Sequence, residues 1–295
     1  MASQAVKKAV TLLGAGSQGR RLAYMWSRLG RPVHLIDQNE KQLSRAWDEI
    51  QALRLNNVEI ARKVDRWGSI ITSSPQKGLE HAVSNSWLLV ECVPESLELK
   101  REVIKQMDEA AAPDTIIASN SSSYTILEIL KNLDVKHRDR FVSLHSYWPP
   151  ETPAIEIMGS DETNPEIISR LMEETRKHGF QPFHVRRMST GFIYNRIWAA
   201  IKREALLVLD EGVATPEEVD TIFKSVLKTP KGPFEQMDVV GLDVVLDIEK
   251  HYSETRPGMI PEGPRRLLQK MVDEGRLGVK TGSGFFEYGS DSQQK

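Results

Sequence analysis

The sequence predicts an α/β domain with a doubly wound parallel sheet, followed by an all-helical domain. In the first half, short runs rich in Val, Ile and Leu alternate with stretches of helical spacing, which is the pattern of successive β–α–β units. After about Met188 the strand-like runs stop and only helical patterns follow. We therefore expect a boundary near residues 187–190, between one domain of residues 1–188 and a second of residues 189–295.

The predicted strands are apolar at successive rather than alternate positions, as expected of strands that are covered on both faces. They comprise residues 9–14, 33–37, 69–73, 87–93, 115–120 and 141–146. Residues 20–29 and 97–111 between them have helical spacing. In the second domain, residues 191–209 predict a long helix. Thr215 and Pro216 predict the capped start of another helix.

Composition and charge argue against several classes of protein. The chain of 295 residues carries 39 basic and 41 acidic side chains, so it has no basic field for nucleic acid. No run reaches the ~18 apolar residues that a membrane span needs. The single cysteine, Cys92, allows no intramolecular disulfide and favours a cytoplasmic location. Cys92 lies in an apolar run, which favours a packed core residue over a nucleophile.

A glycine-rich turn joins the first predicted strand to the first predicted helix. Gly14, Gly16 and Gly19 form G-x-G-x-x-G, and Asp37 ends the next predicted strand. This context is the dinucleotide-binding fingerprint. Gly14 permits the tight turn, Gly16 lets the backbone approach a pyrophosphate at the helix N-terminus, and Gly19 allows the helix to pack closely on the strand.

The same motif predicts which dinucleotide binds. Asp37 would accept hydrogen bonds from the ribose hydroxyls and would repel a 2′-phosphate, so NAD is favoured over NADP. Ser17 and Gln18 lie inside the glycine-rich turn and are further candidate cofactor contacts. No H-x-x-x-H pattern or carboxylate cluster occurs, so no metal site is predicted.

One histidine and one glutamate raise the question of an acid/base pair. His145 and Glu156 are separated by a proline-rich stretch, and pairs at such spacings are common. A histidine that follows a predicted strand lies where α/β sheets place ligand-contacting groups. Imidazole titrates close enough to neutrality to carry a proton in both directions. From the residues alone, a catalytic pair and a satisfied loop histidine both remain open.

Eight segments occur in order along the chain: TLLGAGSQG, LIDQNE, LLVECVPESLELK, TIIASNSSS, RFVSLHSYWPP, STGFIYNRIWAAIKREALLVLDEGVA, PKGPFEQMDVVGLDVV and RLGVKTGSGFFEY. On these segments the chain resembles the 3-hydroxyacyl-CoA dehydrogenase family over nearly its whole length. The resemblance implies a Rossmann-type NAD-binding domain and a helical domain for substrate and dimerisation. It also implies an NAD-dependent oxidoreductase that interconverts a 3-hydroxy and a 3-oxo group, with a small-molecule substrate and a homodimeric assembly.

The resemblance assigns roles to individual residues. His145 would take the proton from the 3-hydroxyl while hydride passes to the nicotinamide, and Glu156 would hydrogen-bond the other ring nitrogen. Ser122 would hydrogen-bond the substrate oxygen. Asn195 would orient the substrate, although a polar contact between domains is an alternative for this residue. The remaining histidines match no motif and are expected to be structural or exposed: His34, His81, His137, His178, His184 and His251.

Three further residues match positions of the family that face the cofactor or the substrate. These are Asn120, Glu95 and Lys100. For Glu95 and Lys100, an ordinary charge pair at a solvated helix start is an alternative. The glycines and prolines of the two last segments are expected to shape turns and packing in the helical domain.

Two departures from the family pattern bear on the substrate. The family loop after the histidine has an H-F-F-N-P-V-P character, whereas this chain has HSYWPPETP, in which Tyr147, Trp148 and Glu151 would reshape the pocket. The stretch after Asp37 is also shorter than in typical acyl-CoA enzymes. Its basic residues alternate with acids and are expected on a solvated helix face: Arg45, Arg54, Arg62, Lys63 and Arg66.

The substrate therefore stays open between a 3-hydroxyacyl-CoA, which is slightly favoured, and a small free 3-hydroxy acid of the L-gulonate or carnitine kind. A free acid would need a cation for its carboxylate, and the candidates are Arg196, Lys202, Arg203 and Lys231. A catalytically idle NAD-binding protein is a further alternative. A reductase of the hydroxyisobutyrate group is disfavoured, because its catalytic lysine is replaced here by Asn195.

Overall fold

The computed structural model describes residues 9–62 and 64–289. The chain divides into two compact units after Phe192. The first unit contains eight strands, β1 to β8 in chain order: Ala9–Leu13, Val33–Ile36, Ile70–Ser73, Ser86–Glu91, Ile116–Ser119, Phe141–Trp148, Thr152–Met158 and Gln181–His184. Its helices α1 to α7 are Ser17–Trp26, Glu40–Asn56, Val58–Ala61, Pro75–Ser84, Leu97–Ala110, Ile126–Leu130 and Pro165–Lys177.

The eight strands form one sheet in the order β3-β2-β1-β4-β5-β6-β7-β8. Strands β1 to β6 are parallel to one another, β7 is antiparallel to β6, and β8 is parallel to β7. The doubly wound α/β fold class is confirmed. The six predicted strands all occur, with bounds that shift by one or two residues. Strands β7 and β8 were not predicted, so the sheet is mixed at one end.

Apolar side chains cover both faces of the sheet, as the continuous apolar runs predict. Successive residues of one strand enter different clusters: Leu12 packs in one and Leu13 in the other. In β4, Val90 and Leu89 divide in the same way. Cys92 lies against the first cluster, and the shielding of its sulfur from water raises the pKa of the thiol. Cys92 is therefore a packing residue, as expected.

The described part of the second unit is helical, as predicted. Its helices α8 to α12 are Tyr194–Asp210, Pro216–Leu227, Pro233–Val240, Leu242–Thr255 and Gly263–Asp273. The predicted start of α9 is confirmed, because the Thr215 hydroxyl accepts a hydrogen bond from the Glu218 N–H and the Glu218 carboxylate accepts one from the Thr215 N–H. Among the described residues, no helix combines the length and the apolar character needed to cross a membrane.

Two buried aspartates anchor the turns that the sequence assigns to packing. Asp220 accepts hydrogen bonds from the Phe234 and Glu235 N–H groups at 2.9 and 2.8 Å, which caps the start of α10. Asp238 accepts hydrogen bonds from the Phe285 and Phe286 N–H groups, both at 3.0 Å. A side chain at Gly284 would collide with the Asp238 carboxylate. These motifs therefore serve the packing of the helical unit.

Candidate functional site

The glycine-rich turn between β1 and α1 has the geometry that its sequence predicts. Gly14 has φ of +113°, and a Cβ there would lie 2.5 Å from the Cys92 carbonyl oxygen. A Cβ on Gly19 would lie 1.8 Å from the Gly14 carbonyl oxygen, so helix and strand approach too closely for any side chain. Both glycines are therefore required by contacts within the protein.

Gly16 differs from its two neighbours. Its backbone has φ of −65°, which any residue can adopt, and a Cβ would meet no protein atom within 4 Å. No contact inside the protein explains the glycine. The space beside Gly16 lies at the N-terminus of α1, where unpaired N–H groups and the helix dipole favour an anion. A dinucleotide pyrophosphate fits this position.

Asp37 follows β2 and lies beside the same turn. One carboxylate oxygen accepts a hydrogen bond from the Ala15 N–H at 2.7 Å, and the other accepts one from the Asn39 N–H at 2.7 Å. Each oxygen of a carboxylate can accept more than one hydrogen bond, so capacity remains for ribose hydroxyls. Arg20 is paired with Glu49 at 3.0 Å, so this nearby cation is already neutralised.

Two residues of α1 hold the end of β6 and the short loop that follows it, here together called the β6 loop. The Gln18 amide donates hydrogen bonds to the Ser146 hydroxyl at 2.6 Å and to the Tyr147 carbonyl at 2.9 Å. Arg21 donates one to the Pro149 carbonyl at 2.7 Å, and its guanidinium lies 4.0 Å from the centre of the Trp148 ring. The cofactor turn and the β6 loop are therefore joined directly. The Gln18 side chain thus contacts the β6 loop, and Ser17 lies near Arg20, with 3.4 Å between the Ser17 hydroxyl and the guanidinium.

His145 and Glu156 lie on adjacent antiparallel strands. They are direct partners in the register of β6 and β7. The His145 Nδ1 lies 3.4 Å from the Glu156 Oε2, and the two residues are 5% and 2% exposed. The structure thus brings these predicted residues together. Both residues lie in strands: His145 falls within the predicted strand of residues 141–146, whereas no strand was predicted at Glu156.

Two aromatic residues contact the His145 ring. Tyr147 packs edge-on at a centroid distance of 4.6 Å, and Phe192 lies at 4.9 Å. The Tyr147 hydroxyl donates a 2.5 Å hydrogen bond to the Glu156 Oε2. From the sequence, Tyr147 was expected in the pocket, but its bond to Glu156 was not predicted. Phe192 was assigned to the predicted helix of residues 191–209, whereas this residue lies before the start of α8 and contacts His145. No local signal identifies Phe192, because 47 positions separate it from His145.

A buried charge network joins the ends of β4 and β5. Lys100 is 1% exposed, and its ammonium lies 3.1 Å from carboxylate oxygens of both Glu91 and Glu95. Burial acts to lower the pKa of Lys100, but the two carboxylates outweigh burial and raise that pKa. The alternative of a solvated charge pair is therefore wrong for Lys100. Glu91, which also accepts a hydrogen bond from the Ser119 hydroxyl, was missed. The sequence did contain a sign of the role of Glu91, because it is an acidic residue inside an apolar strand and a buried carboxylate needs a partner.

The same network of charges positions the loop that contains Asn120 and Ser122. The Glu95 carboxylate accepts hydrogen bonds from the Ser121 hydroxyl at 2.5 Å and the Ser123 N–H at 2.9 Å. Between these two, Ser122 is exposed and makes no hydrogen bond to the described residues.

Asn120 links the loop after β5 to the end of β6. Its side-chain oxygen accepts hydrogen bonds from the Ser146 N–H at 2.9 Å and from the Ser146 hydroxyl at 2.7 Å. Its own N–H donates to the Glu91 carbonyl at 3.1 Å. Asn120 therefore fixes the backbone one residue after His145, and its predicted role at the cofactor stays a prediction.

The second unit contains Asn195 and the candidate cations for a substrate carboxylate, and these cations differ in whether a protein carboxylate already binds them. Asn195 lies in the first turn of α8 and is partly buried. Arg203 forms a two-pronged ion pair with Glu249 at 2.7 and 3.1 Å, so its charge is already used. Lys202 is 6% exposed, and it makes no hydrogen bond or ion pair with the residues that the structure describes. Burial lowers the pKa of Lys202.

The basic residues after Asp37 are mostly exposed, as predicted. Arg45, Arg62 and Arg66 face solvent, and Lys63 lies outside the described residues. Arg54 is different, because it donates hydrogen bonds to the Ser27 hydroxyl and the Gly68 carbonyl at 3.1 and 3.2 Å. No group of three or more metal-ligating side chains occurs within residues 9–62 and 64–289.

Comparisons with known proteins support the same interpretation. Residues 9–188 match the model of the 3-hydroxyacyl-CoA dehydrogenase NAD-binding domain, and residues 191–288 match the model of its C-terminal domain. The mitochondrial hydroxyacyl-coenzyme A dehydrogenase of Homo sapiens is 30% identical over 298 residues, covering 97% of this chain and 93% of the human protein.

Solved structures agree with the sequence relatives. The (S)-3-hydroxybutyryl-CoA dehydrogenase of Ralstonia eutropha has a TM-score of 0.83 and 27% identity, with 96% of this chain and 99% of that chain covered. A diketoreductase that acts on dicarbonyl compounds has a TM-score of 0.76 and 28% identity, with 97% and 100% covered.

Proposed function

The chain belongs to the 3-hydroxyacyl-CoA dehydrogenase family and is an NAD-dependent oxidoreductase, and we propose that it interconverts the 3-hydroxy and 3-oxo groups of a 3-hydroxyacyl-CoA with His145 as acid and base. One observation carries the proposal. The buried His145 Nδ1 faces the Glu156 carboxylate at 3.4 Å, and His145 lies on β6, next to β5, which Asn120 follows. Bound NAD supplies the hydride acceptor for this chemistry.

The residues then have distinct tasks. With Nδ1 directed at Glu156, the Nε2 of His145 is left to take the proton from the substrate hydroxyl and to return it in the reverse direction. Glu156 fixes the tautomer and stabilises the imidazolium, and this effect is large where water is excluded. The exposed Ser122 hydroxyl is available to hydrogen-bond the substrate oxygen. Asn195 keeps its proposed role in orienting the substrate.

The preference for a thioester substrate rests on two relatives. The human protein is named a hydroxyacyl-coenzyme A dehydrogenase, and the Ralstonia eutropha protein is named an (S)-3-hydroxybutyryl-CoA dehydrogenase. The chain itself offers little support for CoA recognition, because Arg54 is engaged with Ser27 and Gly68. The exposed arginines after Asp37 remain as candidate contacts for the CoA phosphates.

A small free 3-hydroxy acid is the second candidate, and Lys202 is the observation that favours it. Lys202 forms no ion pair with the described residues, and the Glu249 carboxylate that acts on it electrostatically is paired with Arg203. A buried ammonium without a close carboxylate is unfavourable, and a substrate carboxylate would relieve that cost. Of the four candidate cations, Arg203 is excluded by its pairing with Glu249. If a free acid is the substrate, Lys202→Met should raise KM for that acid and leave KM for a thioester unchanged.

The deciding experiment compares substrates with the purified protein. NADH oxidation is followed with acetoacetyl-CoA and with free acetoacetate, and NAD reduction with L-gulonate and with carnitine. Turnover of the thioester alone supports the first candidate, and turnover of a free acid alone supports the second. His145→Ala should abolish whichever activity is found, whereas the exposed His137→Ala should not. Full activity of His145→Ala, or silence on all four compounds, would contradict the proposal.

Assembly and location complete the proposal. The helical unit is expected to pair about a two-fold axis into a homodimer, and a monomer in sedimentation at micromolar concentration would contradict this. A cytoplasmic location stays a prediction, because the human relative is mitochondrial by name. Localisation of a tagged full-length chain in its own cells would decide between the two compartments.

A further inference from the structure

We propose that Tyr147 is a positioning residue of the catalytic pair, whose hydroxyl holds the Glu156 carboxylate in place and limits the negative charge that this carboxylate offers to His145. The inference rests on the proposed function, since it assumes that His145 is the acid and base. The Tyr147 hydroxyl and the His145 Nδ1 face the same oxygen, Glu156 Oε2, at 2.5 and 3.4 Å. The two rings are also in edge-on contact at 4.6 Å.

The regular alternation of β6 directs Tyr147 towards Glu156. Residues two apart in a strand face the same side, so Tyr147 lies on the face of His145, whose direct partner across the strands is Glu156. The register between β6 and β7 shifts between Ser146 and Trp148, where two residues of β7 oppose the single residue Tyr147, and such irregularities are frequent beside active sites. The backbone thus sets the direction of the tyrosine before any substrate binds.

The end of β6 that carries Tyr147 is fixed at several points. The Tyr147 carbonyl accepts a hydrogen bond from the Gln18 amide at 2.9 Å, and the Ser146 N–H donates one to the Asn120 side chain at 2.9 Å. Arg21 binds the Pro149 carbonyl at 2.7 Å. A side chain held by packing and hydrogen bonds keeps its geometry with little loss of entropy. The hydroxyl of Tyr147 is therefore preorganised against Glu156.

At position 147, the hydroxyl is the difference between this chain and the family pattern, because a phenylalanine occupies this position in the H-F-F-N-P-V-P loop. Gln18 contacts Ser146 and Arg21 contacts Glu151, and both Ser146 and Glu151 also depart from that pattern. The pattern and the geometry together indicate that the ring supports packing and that the hydroxyl has a separate task.

The physical effect of that hydroxyl has a definite direction. A carboxylate oxygen that already accepts one short hydrogen bond stabilises a neighbouring imidazolium less than a free one does. Among the residues that the structure describes, the His145 ring lies against the Glu156 carboxylate, the Tyr147 ring and the apolar Phe192 ring. Removal of the hydroxyl should therefore favour protonated His145.

The test is the pH profile of kcat/KM for Tyr147→Phe, measured in the direction of NAD reduction with the 3-hydroxy form of the substrate identified in the assays above, because His145 acts as the base in that direction. We expect the acid limb, where His145 loses its proton, to move to higher pH by about 0.5 to 1 pH unit. Tyr24→Phe is the matched control, because the buried Tyr24 hydroxyl has no hydrogen-bond partner in the described residues. Its acid limb should stay in place.

Two further variants keep the outcome decisive. Tyr147→Leu also lacks the hydroxyl and should move the limb in the same direction, whereas in a Glu156→Gln background Tyr147→Phe should move it no further. A purely structural role would lower activity equally at every pH and would overturn the inference. If His145→Ala is inactive and the limb of Tyr147→Phe is unmoved, the inference fails while the proposed function stands. If His145→Ala is fully active, the proposed function itself fails.

Discussion

His145 and Glu156 face each other because the register of two antiparallel strands makes them partners. Their separation is therefore set by backbone hydrogen bonds rather than by a flexible loop, which gives the pair the fixed geometry that proton transfer requires. A change at either residue should alter chemistry without rearranging the backbone.

Replacing Glu156 by glutamine should remove the charge that stabilises the imidazolium. We expect kcat to fall by about 10²-fold, while NAD affinity and Tm stay close to the values of the unmodified protein. Steady-state kinetics, calorimetric titration with NAD and thermal melting measure the three quantities. Glu80→Gln is the control, because Glu80 is exposed and lies on α4. An unchanged kcat for Glu156→Gln would contradict the role of the pair.

The two glycines of the cofactor turn should separate stability from binding. Gly19→Ala places a methyl group 1.8 Å from the Gly14 carbonyl oxygen, so the folded state should lose at least about 2 kcal/mol. Gly16→Ala meets no protein atom within 4 Å, so its stability should change by less than about 0.5 kcal/mol.

NAD binding should nevertheless weaken in Gly16→Ala, because the added methyl group occupies the space predicted for the pyrophosphate. We expect a rise in the Kd for NAD of about tenfold or more, equivalent to at least about 1.4 kcal/mol. Urea unfolding and calorimetric titration test both variants. Unaltered NAD affinity in Gly16→Ala would show that the cofactor does not approach this residue.

The ion pair between Lys100 and Glu91 should be stabilising only as a pair. Lys100→Met leaves the fully buried Glu91 carboxylate without its cation, and we expect a loss of about 3 kcal/mol in the free energy of unfolding. The double variant Glu91→Gln with Lys100→Met removes both charges and should recover most of that loss. Urea unfolding of the single and double variants gives the coupling energy. A double variant as unstable as Lys100→Met would show that the lost charge pairing is not the cause.

His178 should make the protein sensitive to acid. It is fully buried against Trp26, and burial lowers its pKa from 6.5 to about 4. Above pH 6.5 both folded and unfolded states hold a neutral imidazole, so the stability is complete. Below that pH the unfolded state binds a proton at His178 and the folded state does not. The free energy of unfolding therefore falls until the pH passes the pKa of His178 in the folded state.

The expected loss from His178 between pH 7 and pH 5 is about 2 kcal/mol in the free energy of unfolding. His178→Phe cannot be protonated, so its stability should fall less over the same interval. Urea unfolding at the two pH values measures the difference. Parallel losses in both proteins would assign the acid sensitivity to other groups.

Features set by local chemistry could be predicted from the sequence. The turn from Gly14 to Gly19 depends on neighbours that are close in the chain, and the motif carries its own structural requirement. The six parallel strands were readable because each is a continuous apolar run. Thr215 and Pro216 predicted the start of α9, because the hydrogen bonds of a helix cap lie within a single turn.

Features that depend on distant partners could not be read from the residues alone. The pairing of His145 with Glu156 was predicted only through the family resemblance, because it needs the register of β6 and β7. Strand β7 itself was missed, because its polar Glu156 obscures its apolar pattern. Phe192 reaches His145 only through the path of the chain after β8. The sequence shows Glu91 as a charged residue within an apolar strand, but only the structure identifies Lys100 as its partner.

Pro182 determines what the open side of β8 can do. The Val185 N–H donates to the Ile157 carbonyl at 2.9 Å, so alternate residues of β8 face β7, while Pro182 and His184 face away. A proline offers a carbonyl but no N–H. A strand from another molecule could therefore not form every backbone hydrogen bond with β8. The proline thus disfavours edge-to-edge aggregation at this end of the sheet.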